Sequence, residues 1–295
     1  MTKHFLKLGD LTSVEIESII LDAISRKKKN SYSTELQGKY LALIFEKSST
    51  RTRVSFEVAM SQLGGKASFL SIQDLQLGRG EPIQDTAKVI SSMADAIVLR
   101  TLNHKTITDF AEASSSPIIN GLTDLSHPCQ LLADLLTYTE NRGAIKGKKI
   151  TWIGDCNNMC KTYIEASDLL DFELHIACPE ELSQDINLPN NSKVTFYESI
   201  ENATEGSHLV TTDVWISMGD EEHKSKKTTM LQEYKVTPEL MDRADKDAIF
   251  LHCLPAQRGQ EISETMLDDS RSFVWEQAEN RLHVQKSLLI YLINN

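Results

Sequence analysis

The sequence predicts an α/β protein of two domains, each a mostly parallel β-sheet flanked by helices. Short apolar runs alternate with segments of helical spacing, and this alternation occurs once before and once after the basic stretch at Lys146–Lys149. The chain has 295 residues, which is long for one hydrophobic core and sufficient for two domains of ordinary size. Its 40% hydrophobic and 25% charged residues are the balance of a folded globular protein.

The first set of elements begins with an apolar run over residues 40–46, which predicts a buried strand. Residues 49–63 carry apolar side chains at helical spacing, and Gly64 and Gly65 follow as a typical helix end. The remaining segments are, in order, a strand at 66–72, a helix at 85–94, a strand at 96–101, a helix at 106–114, a strand at 117–122 and a helix at 129–143.

The second set of elements follows the basic stretch and runs to about Trp275. Its predicted strands lie at 149–155, 173–179, 194–198, 208–215 and 248–255, with helices between them. The last segment, residues 279–293, reads as a helix with an apolar face. In open parallel sheets, ligand-binding residues cluster just past the carboxyl ends of strands. Candidate site residues are therefore expected after these runs.

Composition excludes several classes of function. The formal charge of −11 opposes the electrostatic attraction that dominates nucleic-acid binding. No apolar run approaches the roughly 18 residues of a membrane span, and residues 1–11 do not read as a signal peptide, so we expect a cytoplasmic protein. The five cysteines form no CxxC pair, which argues against a metal site and favours reduced thiols: Cys129, Cys156, Cys160, Cys178 and Cys253.

A hydroxyl-rich turn follows the first predicted strand, in the sequence FEKSSTRTR. Ser49, Thr50 and Thr52 offer hydroxyl groups, Arg51 offers a fork of N–H donors, and the first helical turn has unpaired backbone N–H groups. This chemistry suits an anion such as phosphate. An ordinary N-cap followed by a surface helix is an equally good interpretation of these residues taken alone.

Two further strands of the first domain lead to polar residues. Arg100 ends the strand at 96–101, and His127 and Gln130 follow the strand at 117–122. A lone arginine or histidine is usually structural, but their shared position after strands of one sheet favours a joint role. Together they can polarise a carbonyl oxygen and hold an amide nitrogen.

The second domain places other polar residues after its strands. The turn GDCNN lacks the GxGxxG pattern of a nicotinamide site, so no cofactor is predicted, and Asn157 with Asn158 suits a carboxylate or amide ligand. Asp213 lies near the end of another predicted strand and Cys253 near the end of a third, a pair that can handle an amine proton. A serine hydrolase is not expected because the GxSxG elbow is missing.

Four motifs together resemble the signature set of the aspartate/ornithine carbamoyltransferase family, in particular its ornithine-specific members. They are STRTR at 49–53, HPCQ at 127–130, DVWISMG at 213–219 and HCLP at 252–255. The resemblance implies transfer of the carbamoyl group from carbamoyl phosphate to ornithine within arginine metabolism, by a homotrimer or a multiple of trimers. It also implies a carbamoyl phosphate-binding domain at 1–137 plus 278–295, to which the C-terminal helix returns, and an ornithine-binding domain at 138–277.

The resemblance also implies roles for individual residues. Those implied for carbamoyl phosphate are Ser49, Thr50, Arg51, Thr52, Arg100, His127, Pro128, Cys129, Gln130, Cys253, Leu254 and Arg281, with Gln76 reaching in from a neighbouring subunit. Those implied for ornithine are Asn158, Asp213, Ser217 and Met218. The catalytic set within these is Arg100, His127, Asp213 and Cys253.

Rival members of the family fit less well. An aspartate enzyme is expected to carry HPLPR in place of HCLP and to lack the SMG loop, and putrescine or acetylornithine enzymes are expected to depart at that loop. A catalytically silent homologue is disfavoured by the complete motifs. The chain departs from the family pattern at Cys160-Lys161, where smaller or uncharged residues are usual, and at Gln257, where histidine is frequent.

Overall fold

The computed structural model describes residues 2–29, 32–71, 80–184, 186, 188, 192–216 and 224–295. These residues form two units. The first consists of Met1–Leu136 with Glu279–Asn295, and the second of Thr137–Ala278. Among the described residues, no helix combines the length and apolar character that crossing a bilayer demands.

The first unit contains a parallel sheet in the order β2-β1-β3-β4. Its strands are β1 (Tyr40–Phe45), β2 (Lys66–Ser71), β3 (Ala96–Arg100) and β4 (Ile118–Leu122). In the β1–β3 register Phe45 lies opposite Arg100, so the ends of these two strands coincide. The residues that follow β1, β3 and β4 therefore start from one edge of the sheet.

Helices of the first unit connect and cover these strands. They are α1 (Ser13–Lys29), α2 (Thr50–Gln62), α3 (Ile83–Ser91), α4 (His104–Ala113) and α5 (Pro128–Arg142), the last of which extends past Leu136. The α4 helix shows how sequence sets a boundary: the side chain of its N-cap Asn103 accepts from the Lys105 N–H at 2.8 Å. Ile107 and Phe110 of α4 are buried against Ile97 and Leu99 of the sheet.

The second unit contains a five-stranded parallel sheet in the order β7-β6-β5-β8-β9. Its strands are β5 (Lys149–Ile153), β6 (Glu173–Ala177), β7 (Val194–Tyr197), β8 (Leu209–Thr212) and β9 (Ile249–His252). Its helices are α6 (Asn158–Leu169), α7 (Glu180–Ser183), α8 (Ile200–Thr204), α9 (Lys224–Leu231) and α10 (Pro238–Met241). Val210 and Phe250 belong to its buried core.

The last helix, α11 (Val274–Asn294), supplies Glu279–Asn295 to the first unit. The Lys286 ammonium donates to Gln62 Oε1 of α2 at 2.9 Å, and Lys27 donates to Asn280 Oδ1 at 2.8 Å. These contacts bring the two ends of the chain together in one unit. The expected return of the C-terminal helix to the first domain is confirmed.

The predicted α/β architecture of two parallel sheets is also confirmed, with shorter elements than the apolar runs indicated. The run at 149–155 yields a strand that ends at Ile153 because Gly154 turns the chain with φ of +119°. The helix expected from Ser49 starts at Thr50, because Ser49 has extended backbone and serves as the N-cap. Gly64 ends this helix segment at φ of +80°, as its position predicted.

Candidate active site

The turn between β1 and α2 is built as a helix N-terminus. Ser49 Oγ accepts a hydrogen bond from the Thr52 N–H at 3.4 Å and lies 3.0 Å from Thr52 Oγ1. Thr50 and Arg51 are exposed, whereas Thr52 is 1% exposed. The backbone N–H groups of a first helical turn carry partial positive charge, which favours an anion at this point. The N-cap interpretation of STRTR is thus confirmed, and the same turn keeps the helix N-terminus on which the anion-site prediction depends.

Arg281 of α11 joins this turn to α5. Its Nη2 donates to Thr52 Oγ1 at 3.0 Å and its Nη1 donates to Gln130 Oε1 at 2.7 Å. The Gln130 amide nitrogen in turn donates to Asp134 Oδ1 at 2.9 Å. All four side chains are buried. The network fixes the plane of the guanidinium, and within it Gln130 positions Arg281.

Asp134 was not among the residues predicted from the sequence. It lies four positions after Gln130 on α5, and residues at this spacing are neighbours on a helix surface. That spacing, inside a run otherwise rich in leucine, was the signal that could have found it.

Arg100 is the last residue of β3, His127 follows β4, and both are buried. Arg100 Nη1 donates to the Gly121 carbonyl at 3.4 Å. Burial lowers the pKa of His127 well below its usual range, and the positive charges of Arg281 and Arg100 lower it further. At neutral pH His127 is therefore an uncharged imidazole, which offers one N–H donor and one acceptor nitrogen.

Pro128 and Cys129 form the first turn of α5, next to His127. The fully buried Cys129 thiol donates to the Asn120 carbonyl at 3.3 Å. Burial raises the pKa of this thiol to about 12, so it stays protonated. Its contacts hold α5 against β4, as expected of a small buried hydrophobic residue.

In the second unit, Asp213 follows β8 and is held by several donors. The Asn157 amide donates to Asp213 Oδ2 at 2.8 Å and the Val214 N–H donates to Oδ1 at 2.7 Å. The Cys253 thiol is a further hydrogen-bond partner of this carboxyl. Burial nevertheless raises the pKa of Asp213 above its ordinary value. The result is a positioned carboxylate that accepts protons more readily than a surface aspartate.

Asn157 links this carboxylate to the start of α6. Its Oδ1 accepts the N–H groups of Met159 at 2.9 Å and Cys160 at 3.2 Å, which leaves the amide nitrogen for Asp213. The next residue, Asn158, is the first of α6 and is half-buried. Sequence reasoning considered both asparagines as ligand groups; in the structure Asn157 serves as an N-cap that also orients the carboxylate.

Cys253 and Leu254 follow β9 and are half-buried. A buried pair behind them was not predicted: His252 Nε2 lies 3.1 Å from Glu261 Oε1, and the His252 N–H donates to Gln277 Oε1 at 3.0 Å. Glu261 Oε1 also accepts the Gln257 N–H. No local sequence pattern marks this pair, because Glu261 lies in a loop whose approach to β9 is a tertiary contact.

Three predicted site residues, Gln76, Ser217 and Met218, lie outside the described residues. Within the described ranges, no group of three or more histidine, cysteine or acidic side chains is placed to hold a metal ion. The first unit therefore brings together Ser49, Thr52, Arg281 and Gln130, and the second brings together Asn157, Asp213 and Cys253.

These two groups differ in charge. A helix N-terminus with buried arginines and an uncharged imidazole suits an anionic donor that carries a carbonyl group. A carboxylate beside a thiol suits an acceptor that carries an ammonium group. The fold and these residues define a two-substrate transferase of the parallel α/β class.

The chain belongs to the aspartate/ornithine carbamoyltransferase family. Residues 3–140 match the model of its carbamoyl-P binding domain, and residues 146–292 match the model of its Asp/Orn binding domain. The two matches together span most of the chain, in the order that the motifs predicted. The family membership inferred from those motifs is confirmed.

Individual relatives cover nearly the whole chain. An ornithine carbamoyltransferase of Psychrobacter cryohalolentis is 50% identical over 299 residues, which span 99% of this chain and 98% of the relative. The solved anabolic ornithine carbamoyltransferase of Campylobacter jejuni has a TM-score of 0.92 and 40% identity, covering 99% of each chain. A solved ornithine carbamoyltransferase of Burkholderia thailandensis has a TM-score of 0.90 and 43% identity, covering 99% of this chain and 98% of the other.

Proposed function

We propose that this protein transfers the carbamoyl group of carbamoyl phosphate to the side-chain amine of L-ornithine, giving L-citrulline and phosphate. The observation that carries the choice of acceptor is the Asp213 carboxylate, held by Asn157 and Val214 beside the Cys253 thiol. A carboxylate attracts the ammonium group of ornithine and repels the second carboxylate of aspartate. The names of relatives that share half of their residues with this chain agree with that choice.

We assign residues 1–137 plus 278–295 to carbamoyl phosphate and 138–277 to ornithine. Phosphate is bound by the N–H groups and side chains of residues 49–52, among which Arg51 is exposed and available. Gln76 and the turn of Pro128 and Cys129 complete this part of the site. Asn158, Ser217 and Met218 bind the amino-acid end of ornithine, and Leu254 packs beside the reacting groups.

The carbonyl carbon becomes tetrahedral when the amine attacks, and negative charge develops on its oxygen. Arg100, uncharged His127 and the Thr52 hydroxyl are the proposed donors to that oxygen, and Arg281 orients Thr52. Each donor fixed in advance is typically worth about 3 to 4 kcal/mol in the transition state. Collapse of the intermediate breaks the carbon–oxygen bond to phosphate, and the phosphate leaves toward the start of α2.

The attacking amine must first lose a proton. A primary alkyl amine has a pKa near 10.4, so its neutral form at pH 7 costs on the order of 4 to 5 kcal/mol. Asp213, whose pKa burial raises, accepts this proton, and the adjoining Cys253 thiol is hydrogen-bonded to the same carboxyl. The neutral amine then has its lone pair free for the carbonyl carbon.

A side-by-side substrate assay tests the proposed function. With carbamoyl phosphate saturating, ornithine should give citrulline at a kcat/KM at least about 10²-fold above those of putrescine, acetylornithine and aspartate, because only ornithine presents both the amine and the free amino-acid groups. Product formation is measured by a ureido colour reaction and confirmed by mass spectrometry. Faster turnover of another acceptor, or no turnover of any, would remove ornithine as the substrate.

The active form proposed here is a homotrimer, or a multiple of trimers, in which Gln76 of one subunit completes the site of its neighbour. A cytoplasmic location is proposed with it, since the five cysteines form no disulfide with one another, which suits a reducing compartment. The biosynthetic direction is proposed from the word anabolic in the names of two relatives.

Mixing of inactive variants tests the shared site. Gln76→Ala and Arg51→Ala subunits, unfolded and reassembled at equal amounts, should recover about one quarter of the wild-type activity, because a site needs Arg51 from one subunit and Gln76 from the next. The matched control mixes Arg51→Ala with Arg281→Lys. Both of these residues belong to one subunit's site, so no activity should return. Equal recovery in both mixtures, or none in the first, contradicts the shared-site trimer.

A further inference from the structure

Three buried thiols of the second unit converge at the carboxyl ends of β5 and β6. Cys156 lies in the turn after β5, Cys160 in the first turn of α6, and Cys178 directly after β6. The Cys160 Sγ lies 3.9 Å from the Cys156 Sγ, and Cys178 is also hydrogen-bonded to Cys156. The sequence spacing showed no CxxC pair, so this cluster is a product of the fold.

The three sulfurs are not equivalent. Hydrogen bonds from the Cys160 and Cys178 thiols lower the pKa of Cys156, and the charges of Lys161 and Lys227 act in the same direction. Burial raises the pKa of Cys160, and the hydrogen bond to Cys156 raises the pKa of Cys178. These shifts make Cys156 the most acidic of the three thiols. A thiolate is the form of cysteine that reacts with oxidants.

Cys156 lies between Asp155 and Asn157, and Asn157 helps to shape the proposed ornithine site. On one side, Asn157 orients Asp213 through a hydrogen bond of 2.8 Å. On the other, Asp155 accepts from the Lys227 ammonium of α9 at 2.8 Å, in a pair whose side chains are only 7% and 16% exposed. A change in the position of Cys156 must therefore move at least one of these neighbours.

We propose that Cys156 and Cys160 form a reversible redox site, in which hydrogen peroxide converts the two thiols into a disulfide and weakens ornithine binding. The Cys156 thiolate attacks the peroxide, the O–O bond breaks, and one water leaves after protonation, so that the sulfur becomes a sulfenic acid. The Cys160 thiol then displaces the hydroxyl as a second water. Two electrons pass from the sulfurs to the peroxide, and a dithiol reductant restores both thiols.

The distance between the two sulfurs explains how their oxidation would weaken ornithine binding. A disulfide bond is about 2.05 Å long, so the two sulfurs must approach by roughly 2 Å from their present separation. The turn of Cys156 and Asn157 has to shift with them, and the amide that orients Asp213 shifts with the turn. Cys156 is 6% exposed, which leaves a small oxidant some access, while Cys160 is fully buried and protected from direct attack. This effect on ornithine rests on the function proposed above.

Peptide mass spectrometry tests the bond itself, whatever the enzyme's activity. The reduced, full-length protein is treated with hydrogen peroxide, its remaining thiols are alkylated, and it is digested with trypsin. Residues 150–161 form one tryptic peptide with both Cys156 and Cys160, whereas Cys178 lies in the next. We expect this peptide to lose two hydrogen masses and to escape alkylation. A cross-link to the Cys178 peptide, or sulfinic acid with no disulfide, would overturn the assignment.

Steady-state kinetics test the predicted effect of the disulfide on ornithine binding. Peroxide should lower citrulline formation at subsaturating ornithine by about tenfold or more and leave the KM for carbamoyl phosphate unchanged. Dithiothreitol should restore the lost activity. Cys160→Ser should start with the wild-type rate and resist this reversible loss. If Cys160→Ser is inactivated equally, the sensitive thiol is another one, such as Cys253, and the proposal fails. If the mass change appears in a protein that does not use ornithine, the redox site stands and the proposed function fails.

Discussion

Replacing Arg281 by lysine is expected to lower kcat/KM for carbamoyl phosphate by on the order of 10²- to 10³-fold, the loss typical of a misplaced transition-state donor. Arg281 bridges Thr52 and Gln130 with two different nitrogens of one rigid plane. A lysine ammonium keeps the charge but cannot reproduce that fork. Thr52 should lose its fixed direction, so that the donor to the carbonyl oxygen is no longer held in advance.

Steady-state kinetics with each substrate varied, together with calorimetric titration of carbamoyl phosphate, measure this effect. Lys286→Met is the matched control, because Lys286 is a buried cation on the same helix that donates to Gln62 and has no proposed contact with substrate. It should retain wild-type kinetics. Full activity of Arg281→Lys, or an equal loss in Lys286→Met, would show that the Arg281 fork has no specific role.

Replacing Asp213 by asparagine is expected to lower kcat by about 10²- to 10⁴-fold, the range of general acid–base catalysis, with the Kd for carbamoyl phosphate unchanged. Asparagine has nearly the same shape but cannot accept the amine proton. The loss should become smaller as the pH rises toward the pKa of the ornithine amine, near 10.4, since a growing fraction of ornithine is then already neutral. Turnover as a function of pH measures it, and a loss that is constant with pH would contradict proton acceptance by Asp213.

The same substitution has a predictable effect on stability. Because the folded-state pKa of Asp213 is raised, its contribution to stability is fully present below the unfolded value of about 3.9 and is lost as the pH rises through the folded value. The free energy of unfolding of the wild type, relative to Asp213→Asn, should therefore fall between acidic and neutral pH. Urea unfolding at several pH values tests this.

The sequence by itself determined the α/β class, the strands of both sheets and their division into two sets. Each of these depends on local patterns: apolar runs such as residues 40–46 become strands because they can be buried between helices, and Gly64 ends a helix because it adopts positive φ. Ser49 was predictable as a cap because capping acts over three residues of one turn. The exact strand ends were not, since they depend on pairing between strands.

The tertiary structure decided which polar groups meet. Arg281 reaches Thr52 across 229 positions of the chain and Gln130 across 151, and no periodicity predicts a contact at that separation. The same applies to the His252–Glu261 pair and to Cys178, which joins Cys156 only because β5 and β6 are neighbours in the sheet. The residue types in the sequence indicated which chemistry was available to the site. Burial then set which groups carry charge, because a low-dielectric interior leaves His127 neutral and raises the pKa of Asp213.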